Sequence, residues 1–542
     1  MKSNTKTFGK DQKPTNQPCV KMSTDTARHI GLGGAICVII GAMMGTGIFF
    51  KNKSVFNNND GNPYGVLLSW GLAFIIAIAT AYTYGEISRC KTKAQSSGLA
   101  GWAERYVGYN HGRFLKIIYP LFDYPVKTVA IAVFCAEAVL NINPSWAINK
   151  IDCHFGFVIL ISIAILAILL TINYLSATFA PKFSKGLVYS KFIPLSIIII
   201  GGIVFGCMSS EHNLFVNPEQ STSQVEWKGI FSFTGVLNSL PGIMFAFDSF
   251  LIVGNIAKDV KSPTKNIPLS ILLSMTIAGS VYMIVTICQI CSGAGDPFTL
   301  FNYLFGENQV GKKIIIILFS TALFICMFDA MNSHVLTGVG AGQAAIDEDI
   351  IVGSNFLRKI SNGKHDKFGG VVLMTISYSI VAVLLAIPSL ILKTDQFEDG
   401  ITNTLVVFIF LNYGFIALMS FVNRFTKRVP ESEVSYQKGQ SVAAIISFIG
   451  CLFVACYGLF YQFLADPIMN PNEEFKSWGL FYNNKTFLTA GLTKLTAAIF
   501  FWGASILLFS FCFIHDLILK KIRPDYPQPL LWQRSKENTL SK

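Results

Sequence analysis

Eight stretches of this chain, at 30–50, 65–85, 155–175, 267–291, 369–392, 401–422, 441–465 and 495–514, contain no Asp, Glu, Lys or Arg. A helix crosses the hydrocarbon core of a bilayer in ~20 apolar residues, so each stretch is long enough to span. Four more blocks, around 115–140, 186–208, 234–257 and 312–338, are nearly as apolar and carry one or a few charges. Together they predict twelve membrane helices. Composition agrees: 52% of residues are hydrophobic and only 14% charged, whereas soluble domains run nearer a quarter charged.

The net charge of +12 would suit a nucleic-acid binder if it were gathered in one place. It is not. With the spans numbered alternately, one side of the membrane holds 31 of the 43 Lys and Arg residues, the other holds 9, and Lys127, Lys191 and Lys494 lie within spans. Every loop obeys this bias, which orients the basic side toward the cytoplasm. It also supports the count of spans, because one missed helix would scramble every later loop. Both termini are then expected inside. The first apolar run reads as a retained signal anchor, being too long for a cleaved leader and lacking a small-residue cleavage site. The chain divides into a polar tail at 1–29, a membrane domain at 30–515 and a basic tail at 516–542 facing water or lipid headgroups. Two short helices are expected outside the spans: an amphipathic surface helix near 98–106, and one following Asp296 and Pro297 that covers the outer mouth.

The twelve cysteines are scattered and imply no disulfide framework. The Cys288/Cys291 pair reads as two small apolar residues at a helix end. The run from Gly306 to Lys313 resembles a phosphate loop but lacks the final Ser or Thr and a preceding strand, so it is rejected. No metal-ligand spacing, hydrolase elbow or cofactor motif is present. An enzyme acting on lipid or sugar would need Asp, His and Arg clustered at one interface, and an ion channel would show flux without counterflow. The first lacks support in the sequence.

Two spans differ from the rest. The first carries Gly41, Gly45, Thr46 and Gly47; the sixth carries Pro241, Gly242, then Phe245, Ala246, Phe247, Asp248, Ser249 and Gly254. Each glycine weakens a helix by ~1 kcal/mol relative to alanine. A helix that unwinds at Gly45–Gly47 presents N–H groups from its second half and carbonyls from its first. The former suit a carboxylate and the latter an ammonium. Gly41 and Gly45 also form a GxxxG packing pattern. Interrupted helices at matching places in two halves mark inverted-repeat transporters. The first repeat would run over about 30–208, the second over about 234–422, with two extra helices at about 441–515.

The charges inside the spans are few. Asp248 at mid-span costs at least ~2.5 kcal/mol on insertion scales. It is expected either to contact a substrate amine or carry a proton, or to cap free N–H groups at the break. Lys191 either snorkels to the interface or acts as a core charge. Asp123 and Lys127, four apart, share a helix face and suit an intramembrane pair. Glu137, Asp329 and His334 are candidates for lining a pathway.

These motifs together resemble the amino acid–polyamine–organocation transporters, in a register nearest the L-type branch. Residues 41–49 are similar to G-x-x-x-G-[ST]-G-I-F. Tyr84, Gly85 and Glu86 with Ser97, Gly98 and Gly108 resemble the stretch after span two. Asn173 and Tyr174 followed by Lys191, Phe192, Ile193 and Pro194 resemble N-Y … K-[LF]-x-P. Phe245 to Pro268, and Asn332 with Ser333, match further motifs. The chain departs from the pattern at Ser249 and Phe250, at Lys258 and Asp259, and at Gly338 to Gly340, where an arginine is usual. The resemblance implies an all-α, LeuT-like five-plus-five fold plus two helices. It implies a secondary amino-acid transporter of the plasma membrane, proton-coupled or exchanging, without cofactor. The substrate carboxylate would lie on the amides of Gly45, Thr46 and Gly47. Its amine would lie on the carbonyls of Met43, Phe245 and Asp248. Phe245 would form an aromatic lid, Phe247 would also contact the substrate, and Lys191 would serve coupling, to protons.

Overall fold

In the computed structural model, described for residues 30–45, 47–90, 98–142, 151–175, 186–221, 226–306, 308–362, 367–392, 396–473, 475 and 493–523, twelve helices are long and apolar enough to cross a membrane. Their apolar side chains do not all turn inward. The last span exposes Ile499, Ile506, Leu507 and Phe513, with Leu507 71% accessible. A contiguous apolar exterior of this kind is stable only against lipid, where the backbone is satisfied within each helix.

The first span is broken into α1 (Leu32–Met43) and α2 (Gly47–Asn58). Helix α3 (Pro63–Ile87) follows, then α4 (Leu99–Tyr106) and α5 (Tyr109–Ile118). A π-helical turn at Tyr119–Asp123 joins α5 to α6 (Tyr124–Ile142). Helices α7 (Ile151–Leu175) and α8 (Phe192–Met208) complete the first five spans. A two-stranded antiparallel ribbon, β1 (Gln220–Ser221) and β2 (Glu226–Trp227), precedes α9 (Phe233–Phe247). The sixth span breaks there and resumes as a 3-10 segment, Ile252–Ile256. Next come α10 (Pro263–Ser292), α11 (Pro297–Phe305), α12 (Gln309–Asp347), α13 (Ser354–Ser361), α14 (Phe368–Leu392) and α15 (Gln396–Thr426). Helix α16 (Gln440–Cys456) runs through a π-helical stretch, Tyr457–Ala465, into α17 (Asp466–Met469), and α18 is Lys494–Ile522.

Local chemistry sets several of these starts. Asn62 accepts a hydrogen bond from the Gly65 N–H at 2.9 Å with Pro63 just inside α3. Asp296 accepts from Phe298 and Thr299, both at 3.0 Å, with Pro297 just inside α11. Side-chain acceptors here satisfy N–H groups that a helix start leaves without a partner, and proline loses nothing at the first position. The expected short helix after Asp296 is therefore present.

Glycine also allows a close contact between α8 and α10. A Cβ on Gly202 or Gly206 of α8 would lie 2.7 and 2.9 Å from the carbonyl oxygens of Cys288 and Cys291 on α10. The two cysteines are free thiols in a packing seam.

Two boundaries differ from expectation. Helix α4 is no loose surface element: Leu99, Trp102, Ala103 and Tyr106 are buried, because Gly98 and Gly254 let its start press on the broken sixth span. Helix α18 continues past 515 to Ile522. Its end is held by an Arg113–Asp516 pair at 2.9 Å and by the Val352 N–H donating to His515 Nε2 at 3.2 Å. The tails at 1–29 and beyond 523 lie outside the described residues.

Candidate functional site

Helix α1 ends at Met43, with Met44 turning out of helical geometry at φ −85° and ψ 55°. Helix α9 ends at Phe247, with Asp248 extended and Ser249 at φ 71°. The two ends meet. A Cβ on Gly47 would overlap Ala246, and one on Gly45 would come 2.7 Å from the Cβ of Ala330 on α12. The glycines thus supply both the interruption and the room for two backbones to touch. Tyr282 of α10 brackets the junction, its hydroxyl 3.3 Å from the carbonyl oxygens of both Met43 and Ala246. Thr46 lies outside the described residues.

The halves also run together away from the break. On the basic side, Ile30 forms a parallel bridge with Val260. Its N–H donates to Asp259 O at 3.0 Å and its carbonyl accepts from the Lys261 N–H at 2.8 Å. On the opposite side, Asn59 of the α2 end donates to Ser239 of α9 at 3.1 Å, and Gly235 packs over the Asn58 carbonyl. Spans one and six therefore form one two-stranded core unit, broken at one level.

The two phenylalanines of the motif part company. Phe245 is half-buried, and the ammonium of Lys51, itself 3% exposed, stands 5.0 Å from its ring centroid. Phe247 turns away into an aromatic cluster. It stacks on Phe74 at 6.0 Å and meets Trp70 and Tyr282 edge-on or tilted. Its side chain holds the α9 end against α3 and α10.

Lys191 does not snorkel. It is fully buried, and its ammonium donates to the carbonyls of Gly41 at 3.0 Å, Met44 at 3.2 Å and Cys326 at 2.6 Å. Asp329 of α12 pairs with it at 3.3 Å. Carbonyls at a helix C-terminus carry partial negative charge and no intrahelical partner. One lysine satisfies two of those released by the break in span one.

Asp248 does not cap the second half of span six. Its carboxylate pairs with Lys127 of α6 and accepts from the Tyr413 hydroxyl of α15 at 3.0 Å. Lys127 also pairs with Asp123 at 3.0 Å. The Asp123–Lys127 pair expected from the sequence is present, but it has a third member. His334 lies nearby, Nε2 3.5 Å from Ser249 Oγ. The pairing of Lys127 with Asp248, the Tyr413 contact and the Tyr282 bracket carry no signal in sequence. They join spans three to six, six to ten and seven to the two breaks, and a lone tyrosine in an apolar helix has no periodic mark. Among the described residues, no group of His, Cys, Asp and Glu is arranged to hold a metal ion.

The family model described as amino acid permease matches residues 30–481. The b(0,+)-type amino acid transporter 1 of Mus musculus is 23% identical over 51% of this chain and 54% of its own. The serine/threonine exchanger SteT of Bacillus subtilis is 22% identical over 57% of this chain and 66% of its own. The large neutral amino acids transporter small subunit 2 of Mus musculus is 26% identical over 57% and 56%. The chain thus spans about half to two thirds of the length of these curated relatives. In structure it is similar to a manganese transporter mutant of Eremococcus coleocola, with TM-score 0.52 and 14% identity over 90% of this chain and 94% of that one. That likeness concerns the fold alone and agrees with the LeuT-like architecture of two broken helices within a twelve-span bundle. By the match over most of its length, the chain belongs to the amino acid permease family.

Proposed function

We propose that the protein is a secondary transporter of an amino acid, working by alternating access at the junction of spans one and six. One observation carries this reading: both spans break at one level, with Gly47 against Ala246 and a single tyrosine hydroxyl reaching the carbonyls of Met43 and Ala246. Backbone amides at the start of α2 suit a carboxylate. Carbonyls at the ends of α1 and α9 suit an ammonium. A zwitterion matches both: Gly45 and Gly47, with Thr46 between them in the sequence, are assigned to its carboxylate, and the carbonyls of Met43, Phe245 and Asp248 to its amine. The names of the relatives, which are amino acid transporters and an exchanger, support this substrate class. The enzyme and channel readings have no comparable support.

The two repeats, at about 30–208 and 234–422, would rock about this junction, with the helices at about 441–515 as an addition. The basic side faces the cytoplasm of a plasma membrane, placing both termini inside. Phe245, half-buried beside the junction, is the lid. Phe247 serves as a positioning residue through its ring stack. Lys191 is the coupling residue: its charge ties the first break to α12, so movement at that break is passed to span eight.

The test uses uptake into proteoliposomes with pH and sodium gradients varied separately. Lys191→Ala combined with Asp329→Ala removes a balanced pair and leaves no isolated buried charge. It is expected to abolish pH-gradient-driven uptake while sparing amino-acid exchange. Driven uptake at the wild-type rate in this variant would overturn the coupling role.

A further inference from the structure

The protein contains a second buried ionic centre whose charges do not balance. Around Lys191 one ammonium faces one carboxylate, Asp329. Around Lys127 one ammonium faces two, Asp123 at 3.0 Å and Asp248. Asp123, Lys127 and Asp248 are each at most 3% exposed. The neighbours do not supply the missing positive charge. Tyr119 and Tyr124 face the centre from span three, Tyr413 from α15 and His334 from α12. Tyr378 of α14 lies beyond Tyr124 and near Thr128. Lys191 and Lys116, two other buried cations, are already paired with carboxylates.

With every group in its ordinary ionic form the centre carries one net negative charge inside the bundle. A buried charge without a counter-charge is costly, and like-charged carboxylates sharing a site favour keeping a proton on one of them. The centre adjoins a cavity. It is lined by Asp123, Lys127 and Tyr413 and also by Lys116 and Glu348. Lys116 pairs there with Glu348 at 2.6 Å and with Glu104. Asn255, from the 3-10 half of span six, lines the same cavity and donates to the Tyr124 hydroxyl. The π-helical turn that ends at Asp123 admits an extra residue just before the pair, and such turns gather at functional sites.

We infer that Asp123 and Asp248, bridged by Lys127, form a proton-binding site that takes up and releases one proton through this cavity from the basic face. Asp248 is the C-cap residue of α9, so the charge of the site acts directly on the broken end that lines the amino-acid junction. The site is separate from Lys191, and its link to transport rests on the function proposed above. The existence of the proton does not rest on that function.

Infrared difference spectroscopy on purified protein, without substrate or gradient, separates the two. Lowering the pH is expected to produce a carboxylic-acid carbonyl band in the wild type. Asp123→Asn should abolish it, and this variant retains a balanced Lys127–Asp248 pair and so keeps its fold. Asp248→Asn should do the same while leaving the Lys127–Asp123 pair. The Lys191→Ala and Asp329→Ala double variant should keep the band. A band that survives in both single variants overturns the proposal. So does a band that sodium ions at constant pH remove as effectively as added base does, since that would mark a site for metal cations. If the band behaves as expected and transport fails, the proton site stands and the transporter reading falls.

Discussion

Two lysines are buried within about the same bundle, and they sit in opposite kinds of surroundings. Lys191 meets one carboxylate and three main-chain carbonyls. Lys127 meets two carboxylates and no carbonyl that the structure assigns to it. The first centre is neutral, and its cation is spent on the end of α1, so it acts as a strut for the break in span one. The second is short of positive charge and touches the break in span six. The inverted halves thus place a charged residue at each broken helix but give the two different electrical tasks. One holds a helix end whose carbonyls would otherwise lack donors. The other is poised to change its protonation.

Breaking the strut gives the largest expected effect. Lys191→Met leaves Asp329 as a buried charge without its lysine and removes the donor from three carbonyls. Removing one partner of a buried pair costs about 3–5 kcal/mol. Thermal unfolding in detergent should show a large drop, and adding Asp329→Leu should recover most of it. A single variant as stable as the wild type would show that Lys191 carries no structural load.

Closing the space between the breaks comes next. Gly47→Ala places a methyl group on Ala246, and overpacking of this kind costs about 1–3 kcal/mol. Because the strain falls on the substrate junction, amino-acid affinity should drop roughly tenfold for each 1.4 kcal/mol lost there. Isothermal binding titrations measure this, and unchanged affinity would separate the close approach of the spans from recognition. Tyr282→Phe is milder. It removes one hydroxyl shared between Met43 and Ala246, worth about 1 kcal/mol, and a matching fall in melting temperature is expected.

Asp123→Asn gives the smallest stability change and sharpens the contrast most. It brings the second centre to neutrality, so the melting temperature should fall far less than in Lys191→Met, or rise. A fall equal to that of Lys191→Met would show that the two centres do the same structural work.

Much of this was legible in the chain itself. Span number follows from the uncharged runs, because nothing but lipid accommodates so much apolar surface. The first break follows from Gly45 and Gly47, because glycine acts locally and its effect is visible in a short window; in span six α9 runs on through Pro241 and Gly242, and the break falls at Asp248 and Ser249. The Asp123–Lys127 pair is legible because the two are four residues apart along one span. The third partner has no such mark, since Asp248 is distant in sequence and any of several spans could supply its counter-charge. Lys191 shows the same limit. Its position near the start of a span suits snorkelling, and only the packing of α8 against α1 and α12 turns it inward. The burial of α4 is not legible in the sequence, because Gly98 and Gly254 meet across the fold and neither marks a contact by itself. Phe245 and Phe247 both lie on α9, where residues two apart point to nearly opposite faces, so one meets Lys51 and the other enters the Phe74 stack.

The central claim is that paired breaks in spans one and six bind and carry an amino acid. Counterflow in proteoliposomes tests it most directly. Purified protein is reconstituted with a panel of unlabelled amino acids inside, and labelled amino acid is added outside. At least one member of the panel should drive transient accumulation of label, and Gly45→Leu, which adds a side chain where a single Cβ already lies 2.7 Å from Ala330, should abolish it. Absence of counterflow across the panel in folded wild-type protein, or wild-type counterflow in Gly45→Leu, would contradict the account.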